Sequence, residues 1–157
     1  MARIVTFLFV LLAGIPAFAD EDMAPREGWK VYPTERAFDA LLQNLTAAAK
    51  ANKMIIVTQA GPTKAAKARG IEIPENRVLG LFNNQFAVEI LRLSTAAMIE
   101  APMRMYLTEN ADGTATLSYK LPSFVSAPYA DEGGAELADA AARLDAIFEA
   151  IALDATR

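Results

Sequence analysis

Along residues 28–153, apolar side chains recur first at helical and then at alternating spacing, and this pattern predicts the elements of the fold. Trp29-Lys30-Val31-Tyr32 reads as a short strand, after which Pro33-Thr34 introduces a helix with Thr34 as N-cap and Glu35 in its first turn. Phe38, Leu41, Leu42, Leu45, Ala48 and Ala49 follow the three-and-four spacing of one buried helical face, and the helix ends near Asn52. Met54 to Val57 is a continuous, largely β-branched apolar run that predicts a central strand, broken by Gly61-Pro62. Thr63 to Arg69 predicts a short helix closed by Gly70, and Arg77 to Phe82 a second buried strand. A further helix carries Phe86, Ala87, Ile90, Leu91, Ser94, Ala97 and Met98 on one side and stops before Pro102.

Next comes a hairpin. Met103, Met105 and Leu107 alternate with Arg104, Tyr106 and Thr108, Asn110-Ala111-Asp112-Gly113 supplies the turn, and Ala115, Leu117 and Tyr119 alternate on the return strand. One face of this hairpin is expected in the core and the other in water. Pro122 to Pro128 reads as a loop. A last helix, from about Ala135 to Leu153, carries the stripe Leu137, Ala141, Leu144, Phe148 and Ile151 and is expected to cover the sheet. The sum is a single α+β domain over residues 28–153, two-layered, with a mainly antiparallel sheet covered by helices.

The N-terminus has a different pattern. Arg3, the apolar run Ile4 to Ile15 and then Pro16-Ala17-Phe18-Ala19 follow the order of an export signal, with the small side chains of Ala17 and Ala19 fitting a signal peptidase and cleavage expected before Asp20. The run is well short of the roughly 20 apolar residues of a membrane span, so no membrane anchor is expected after cleavage. The absence of Cys excludes lipoprotein attachment, and the single Arg excludes a twin-arginine signal. Residues 20–27, acidic and containing Pro25, read as a flexible lead-in. The mature chain is therefore expected in the bacterial periplasm or secreted.

Composition then narrows the chemistry. The chain has 15 Lys+Arg against 19 Asp+Glu, and removal of Arg3 with the signal takes the net charge from −4 to about −5, so nucleic acid is not an expected partner. With no Cys, stability must come from the core. With no His, the usual general base, the usual metal ligand and every Ser-His or Cys-His pair are missing. No metal and no cofactor are expected. Asn110 to Gly113 has some calcium-loop character, but Thr108 and Tyr119 stand where the first and last carboxylates belong, and the hairpin turn is the better reading. Gly61-Pro62-Thr63-Lys64 with Lys67 and Arg69 lacks the spacing of a phosphate loop and reads as a solvated basic face. Asn44-Leu45-Thr46 matches the glycosylation pattern but falls mid-helix. No G-x-S-x-G or S-x-x-K marks a nucleophile.

From Arg77 onward, Val78-Leu79-Gly80-Leu81-Phe82-Asn83-Asn84-Gln85, Ile99-Glu100-Ala101-Pro102-Met103-Arg104, Asp112-Gly113 and Ser118-Tyr119 resemble the domain of unknown function 302 family, and the layout from Gly28 to Pro74 is similar to it as well. The likeness covers about Gly28 to Leu153. Where the family has Phe-Gly-Asn-Pro this chain has Phe82-Asn83-Asn84-Gln85; where it has Leu-Asp-Leu-Pro, Ile99-Glu100-Ala101-Pro102 keeps the acid and the proline; where many members carry Asp-His, Gly61-Pro62 stands. The resemblance implies a compact α+β fold, a capacity to pair into dimers and no assigned activity. Its matching positions suggest a pocket: Asn84 at a strand-to-helix turn as donor and acceptor, Glu100 before Pro102, Arg104 holding an anion against Glu100, and Tyr119 offering ring and hydroxyl. The same residues also read as a helix cap, a surface ion pair and core.

Three functional expectations follow. The first is a non-enzymatic exported module that binds a small molecule or a protein. The second is a hydrolase- or lyase-type enzyme built on clustered carboxylates such as Glu100 and Glu109, with or without Mg²⁺ or Ca²⁺. The third, from the resemblance alone, is a structural homodimer. Mass spectrometry of the protein recovered from the periplasm is expected to show a chain beginning at Asp20; a product retaining Arg3 would overturn the export reading.

Overall fold

The structure is a computed structural model, and it describes residues 23–157. The segment expected to be an export signal, with Ala17, Ala19 and Asp20, lies outside the described residues. The elements run β1 (Trp29–Ala37), α1 (Phe38–Ala51), β2 (Ile55–Ala60), α2 (Thr63–Lys67), β3 (Asn76–Phe82), α3 (Asn84–Leu93), a 3₁₀ turn (Ala97–Glu100), β4 (Met103–Glu109), β5 (Thr114–Lys120), α4 (Pro122–Ser126), a second 3₁₀ turn (Ala127–Tyr129) and α5 (Ala130–Thr156). The strands form one five-stranded sheet in the order β1-β5-β4-β3-β2, antiparallel throughout. This is the expected α+β class. Among the described residues no helix is long and apolar enough to cross a membrane.

Strand alternation decides which residues meet the helices. Leu79, Leu81, Met105, Leu107, Ala115, Leu117 and Tyr119 all fall on one side of the sheet, and there they join Phe38, Leu41, Leu45, Ala48 and Ala49 of α1 and Leu144, Phe148 and Ile151 of α5 in one core. Each fully buried Leu or Phe in this layer contributes about 1.5–3 kcal/mol. Tyr119 sits at its centre, 1% exposed, stacked on Tyr32 at 6.2 Å between ring centroids and edge-on to Phe148 at 5.6 Å.

Several local expectations are corrected. Thr34 does not cap α1: β1 continues to Ala37 through a bulge, Thr34 Oγ1 donates to the Ala115 carbonyl at 2.7 Å, and Ala37 stands at the helix start without a side-chain cap. A cross-strand partner there outcompetes the local capping bond. The run Met54 to Val57 is not a central strand. β2 lies at the sheet edge, with Ile55 59% and Val57 49% exposed, because a continuous apolar run does not itself say how many neighbours a strand has. The stripe through Ala97 and Met98 is not one helix: α3 ends at Leu93, and Ser94 Oγ accepts the Ala97 amide at 3.0 Å to start the 3₁₀ turn. Residues 122–128 are α4 and part of the second 3₁₀ turn, with Pro122 at the first helical position and Ser123 N donating to Asp145 Oδ1 at 2.9 Å. The turn reading of Asn110 to Gly113 holds: Asp112 Oδ1 accepts from the Thr114 amide at 2.9 Å and from its hydroxyl at 2.6 Å, and these bonds lower the Asp112 pKa.

The Tyr119 hydroxyl is buried without a hydrogen-bond partner. Burial first, and then the nearby Tyr32 hydroxyl, which makes no geometric hydrogen bond to it, push the phenol well above its ordinary value of 10.0. The native state thus keeps this proton where the unfolded chain releases it. The associated stability is intact below about pH 10 and falls as pH rises beyond it. Tyr119→Phe removes the orphaned hydroxyl and is expected to equal or exceed the parent in urea unfolding at pH 7, by up to about 1 kcal/mol, and to lose less stability than the parent at pH 11. Equal alkaline losses in the two proteins would exclude Tyr119 as the source.

Candidate functional site

The alternation that sends one set of strand residues into the core sends the other set to the opposite face, and none of that second set joins the helix-packed core. Register places it in rows across the strands. In one row Trp29 of β1 is opposite Lys120 of β5, and Arg104 of β4 is opposite Gly80 of β3, itself opposite Thr58 of β2. Continuing the β4–β5 register by one residue beyond the Met105–Tyr119 pair sets Arg104 across from Lys120. The next row runs Val31, Ser118, Tyr106, Val78, Ala60.

A cavity of about 720 Å³ lies across this face. Trp29, Lys120, Arg104, Tyr106, Val78 and Ala60 bring every strand of the sheet to it, so it reaches across four strand spacings, roughly 19 Å. Its volume is within the range of small-molecule sites, about 300–1,000 Å³.

Two glycines shape the walls. A side chain at Gly80 would meet Thr58 Oγ1 at 2.3 Å and Pro102 Cγ at 2.7 Å, so the absent Cβ lets Pro102 seat against the sheet and brings Glu100 to the cavity edge. Gly28, at φ +71°, lies against the Phe124 ring, and its carbonyl accepts from the Leu121 amide at 2.8 Å. These contacts hold α4 where Val125 joins the cavity lining. Gly61 and Pro62 border it at the β2 side.

The charged groups in the lining are one carboxylate, Glu100, and two cations, Arg104 and Lys120. Arg104, with its side chain 62% exposed, reaches Glu100 Oε2 only at 3.9 Å, while Glu100 Oε1 accepts a 2.7 Å hydrogen bond from the Tyr129 hydroxyl. That bond raises the Tyr129 pKa, because it is strongest while the phenol keeps its proton and the carboxylate its charge. Lys120 Nζ stands 5.6 Å from the centre of the Trp29 ring, with Arg26 also over that ring at 5.7 Å. Among the described residues Lys120 has no ion-pair partner.

Of the four residues singled out from sequence, Glu100, Arg104 and Tyr119 border this cavity. The Tyr119 ring itself is spent in the core between Tyr32 and Phe148. Asn84 is the first residue of α3, exposed and outside the described cavity wall. The cap is its neighbour Asn83, whose Oδ1 accepts from the amides of Gln85 at 2.9 Å and Phe86 at 3.3 Å. Trp29, Tyr106, Val78 and Lys120 also line the cavity, and sequence spacing alone does not single them out for it. The alternation in 103–108 had already put Tyr106 on the non-core face with Arg104; Trp29 and Lys120 become neighbours only through β1–β5 pairing.

Carboxylates do not converge here. Glu109 lies at the far end of β4 from Glu100 and accepts the Glu75 amide at 2.8 Å, and among the described residues no group of three or more carboxylates could hold a metal ion.

No curated protein matches the chain. The crystal structure of an uncharacterized conserved DUF302 protein from Bacillus stearothermophilus is similar in fold, with a TM-score of 0.73 and 16% identity over 84% of this chain and 100% of that one. The DUF302 family model, a domain of unknown function, matches residues 30–151, which spans the whole sheet from Lys30 of β1 and most of α5. The chain with this open-faced antiparallel sheet belongs to the DUF302 family.

Proposed function

We propose that the mature chain is a non-enzymatic, exported binding module whose site is the uncovered sheet face, and that it holds one small, largely apolar molecule there. One observation carries this reading: a 720 Å³ cavity crosses the face, floored by Tyr106, Val78 and Ala60 and walled by Trp29, Val125 and Pro62. Apolar surface of this kind left in water costs about 25 cal/mol per Å² relative to a covered state, so a complementary apolar molecule gains from filling it. Nothing in its wall pairs a nucleophile with a base: the hydroxyls at hand are tyrosines, and Glu100 is engaged by Tyr129.

A second reading, assembly into a homodimer, is favoured by the contrast between the two sheet edges. β1 is interrupted by Pro33 and carries Lys30, Glu35 and Arg36, whereas β2, Ile55-Ile56-Val57-Thr58-Gln59-Ala60, has no charge or proline and exposes Ile55 and Val57. Pairing β2 with the same strand of a second copy would satisfy its free backbone groups.

Each reading has its own test. Trp29 is the sole Trp, and it lines the cavity, so energy transfer from it reports a bound naphthyl probe. Uncharged N-phenyl-1-naphthylamine is expected to bind one per chain with quenching of Trp29, and Val78→Asp, which puts a carboxylate in the floor, is expected to weaken this at least about tenfold while circular dichroism confirms a folded chain. Absence of saturable transfer in the parent protein would end the binding proposal. For assembly, sedimentation at micromolar concentration is expected to show a dimer that Val57→Lys converts to monomer; a monomeric parent would remove the homodimer reading.

A further inference from the structure

Arg104 and Lys120 both line the cavity, and the β4–β5 register carried one residue past the Met105–Tyr119 pair sets them opposite one another, where like charges on neighbouring strands repel. Arg104 has only a weak counter-charge, and Lys120 has none among the described residues. Arg104 is largely exposed, and its 3.9 Å contact with Glu100 is a long, solvent-screened pair of a kind that holds little. Lys120 has the Trp29 ring beside it and, among the described residues, no carboxylate in reach. The chain as a whole has a net charge of −4, so two cations against the single carboxylate of Glu100 at the cavity run against the global balance. The apolar floor begins in the adjacent row, at Tyr106 and Val78.

We propose that the molecule held in this cavity is an organic anion: an aromatic or apolar body along Trp29, Tyr106 and Val78 with its acidic group between Arg104 and Lys120. This deepens the binding reading of the preceding subsection and rests on it. The anion removes the repulsion between the two side chains and accepts from both, the planar guanidinium with two donors and the ammonium as a point charge. Glu100 competes with it for Arg104, and the Tyr129 hydroxyl holds that carboxylate at the cavity edge while Arg104 turns to the ligand.

A matched pair of probes separates this claim from the one beneath it. 1-Anilinonaphthalene-8-sulfonate has the skeleton of N-phenyl-1-naphthylamine plus one sulfonate, and both are titrated against the mature protein through energy transfer from Trp29. The sulfonate is expected to bind about tenfold more tightly at low salt, with an advantage that shrinks as salt is added. Arg104→Gln and Lys120→Gln are each expected to bring the ratio of the two affinities toward one, Lys120→Arg to keep it, and Glu100→Gln to raise it by freeing Arg104. Equal affinities for the two probes in the parent protein, or a ratio that the Gln variants leave unmoved, would overturn the anion assignment while leaving the binding site standing. If neither probe shows saturable transfer, the binding reading fails and this inference falls with it.

Discussion

Leu79, Leu81, Met105, Leu107, Leu117 and Tyr119 direct their side chains to one side of the sheet, and α1 and α5 bury them almost completely. Because the side-chain period of a strand is two, committing these residues to the helices commits their neighbours to the other side, and no local choice can undo it. The layer is continuous across β3, β4 and β5, and a slip of one residue in any of these ladders would exchange the core with the open face. The site therefore inherits its placement from the core: Arg104 and Lys120 reach the same cavity because Met105 meets Tyr119 on the other side.

The open face carries a mixture that a purely structural surface does not need. A solvated face of an antiparallel sheet is ordinarily polar along its length, yet here Trp29, Val31, Tyr106, Val78 and Ala60 interrupt the polar set, and Ser118 beside them is fully buried. Gly80 and Gly28 add the complementary feature, since each omits a side chain where Pro102 or Phe124 must approach closely. Walls and floor are thus made by backbone proximity as much as by side chains.

Electrostatics on that face is local. Glu100 is held through Tyr129 from the 3₁₀ turn ahead of α5, whereas Arg104 makes only the long contact with Glu100 and Lys120 stands over the Trp29 ring. Elsewhere charge serves packing: Arg143 of α5 pairs with Glu89 of α3 and with Asp139 on its own helix, and these two carboxylates raise its already high pKa. The contrast between a paired cation on the helical layer and two loosely held ones at the cavity sets the two faces of the molecule apart.

The amino-acid sequence by itself determined the class of fold, the β4–β5 hairpin, the buried stripes of α1 and α5, and the absence of His and Cys chemistry, because spacing and composition are local quantities. It also carried the family likeness, in the order of its short motifs. It did not determine strand order, and for that reason the Met54–Val57 run reads as central from composition while its strand is an edge, and Thr34 reads as a cap while it bonds across to Ala115. The cavity belongs wholly to the tertiary structure. Trp29 and Lys120 are far apart in the chain, as are Gly80 and Thr58, and only the pairing of β1 with β5 and of β3 with β2 brings them into one row, a long-range choice made by burial of the opposite face.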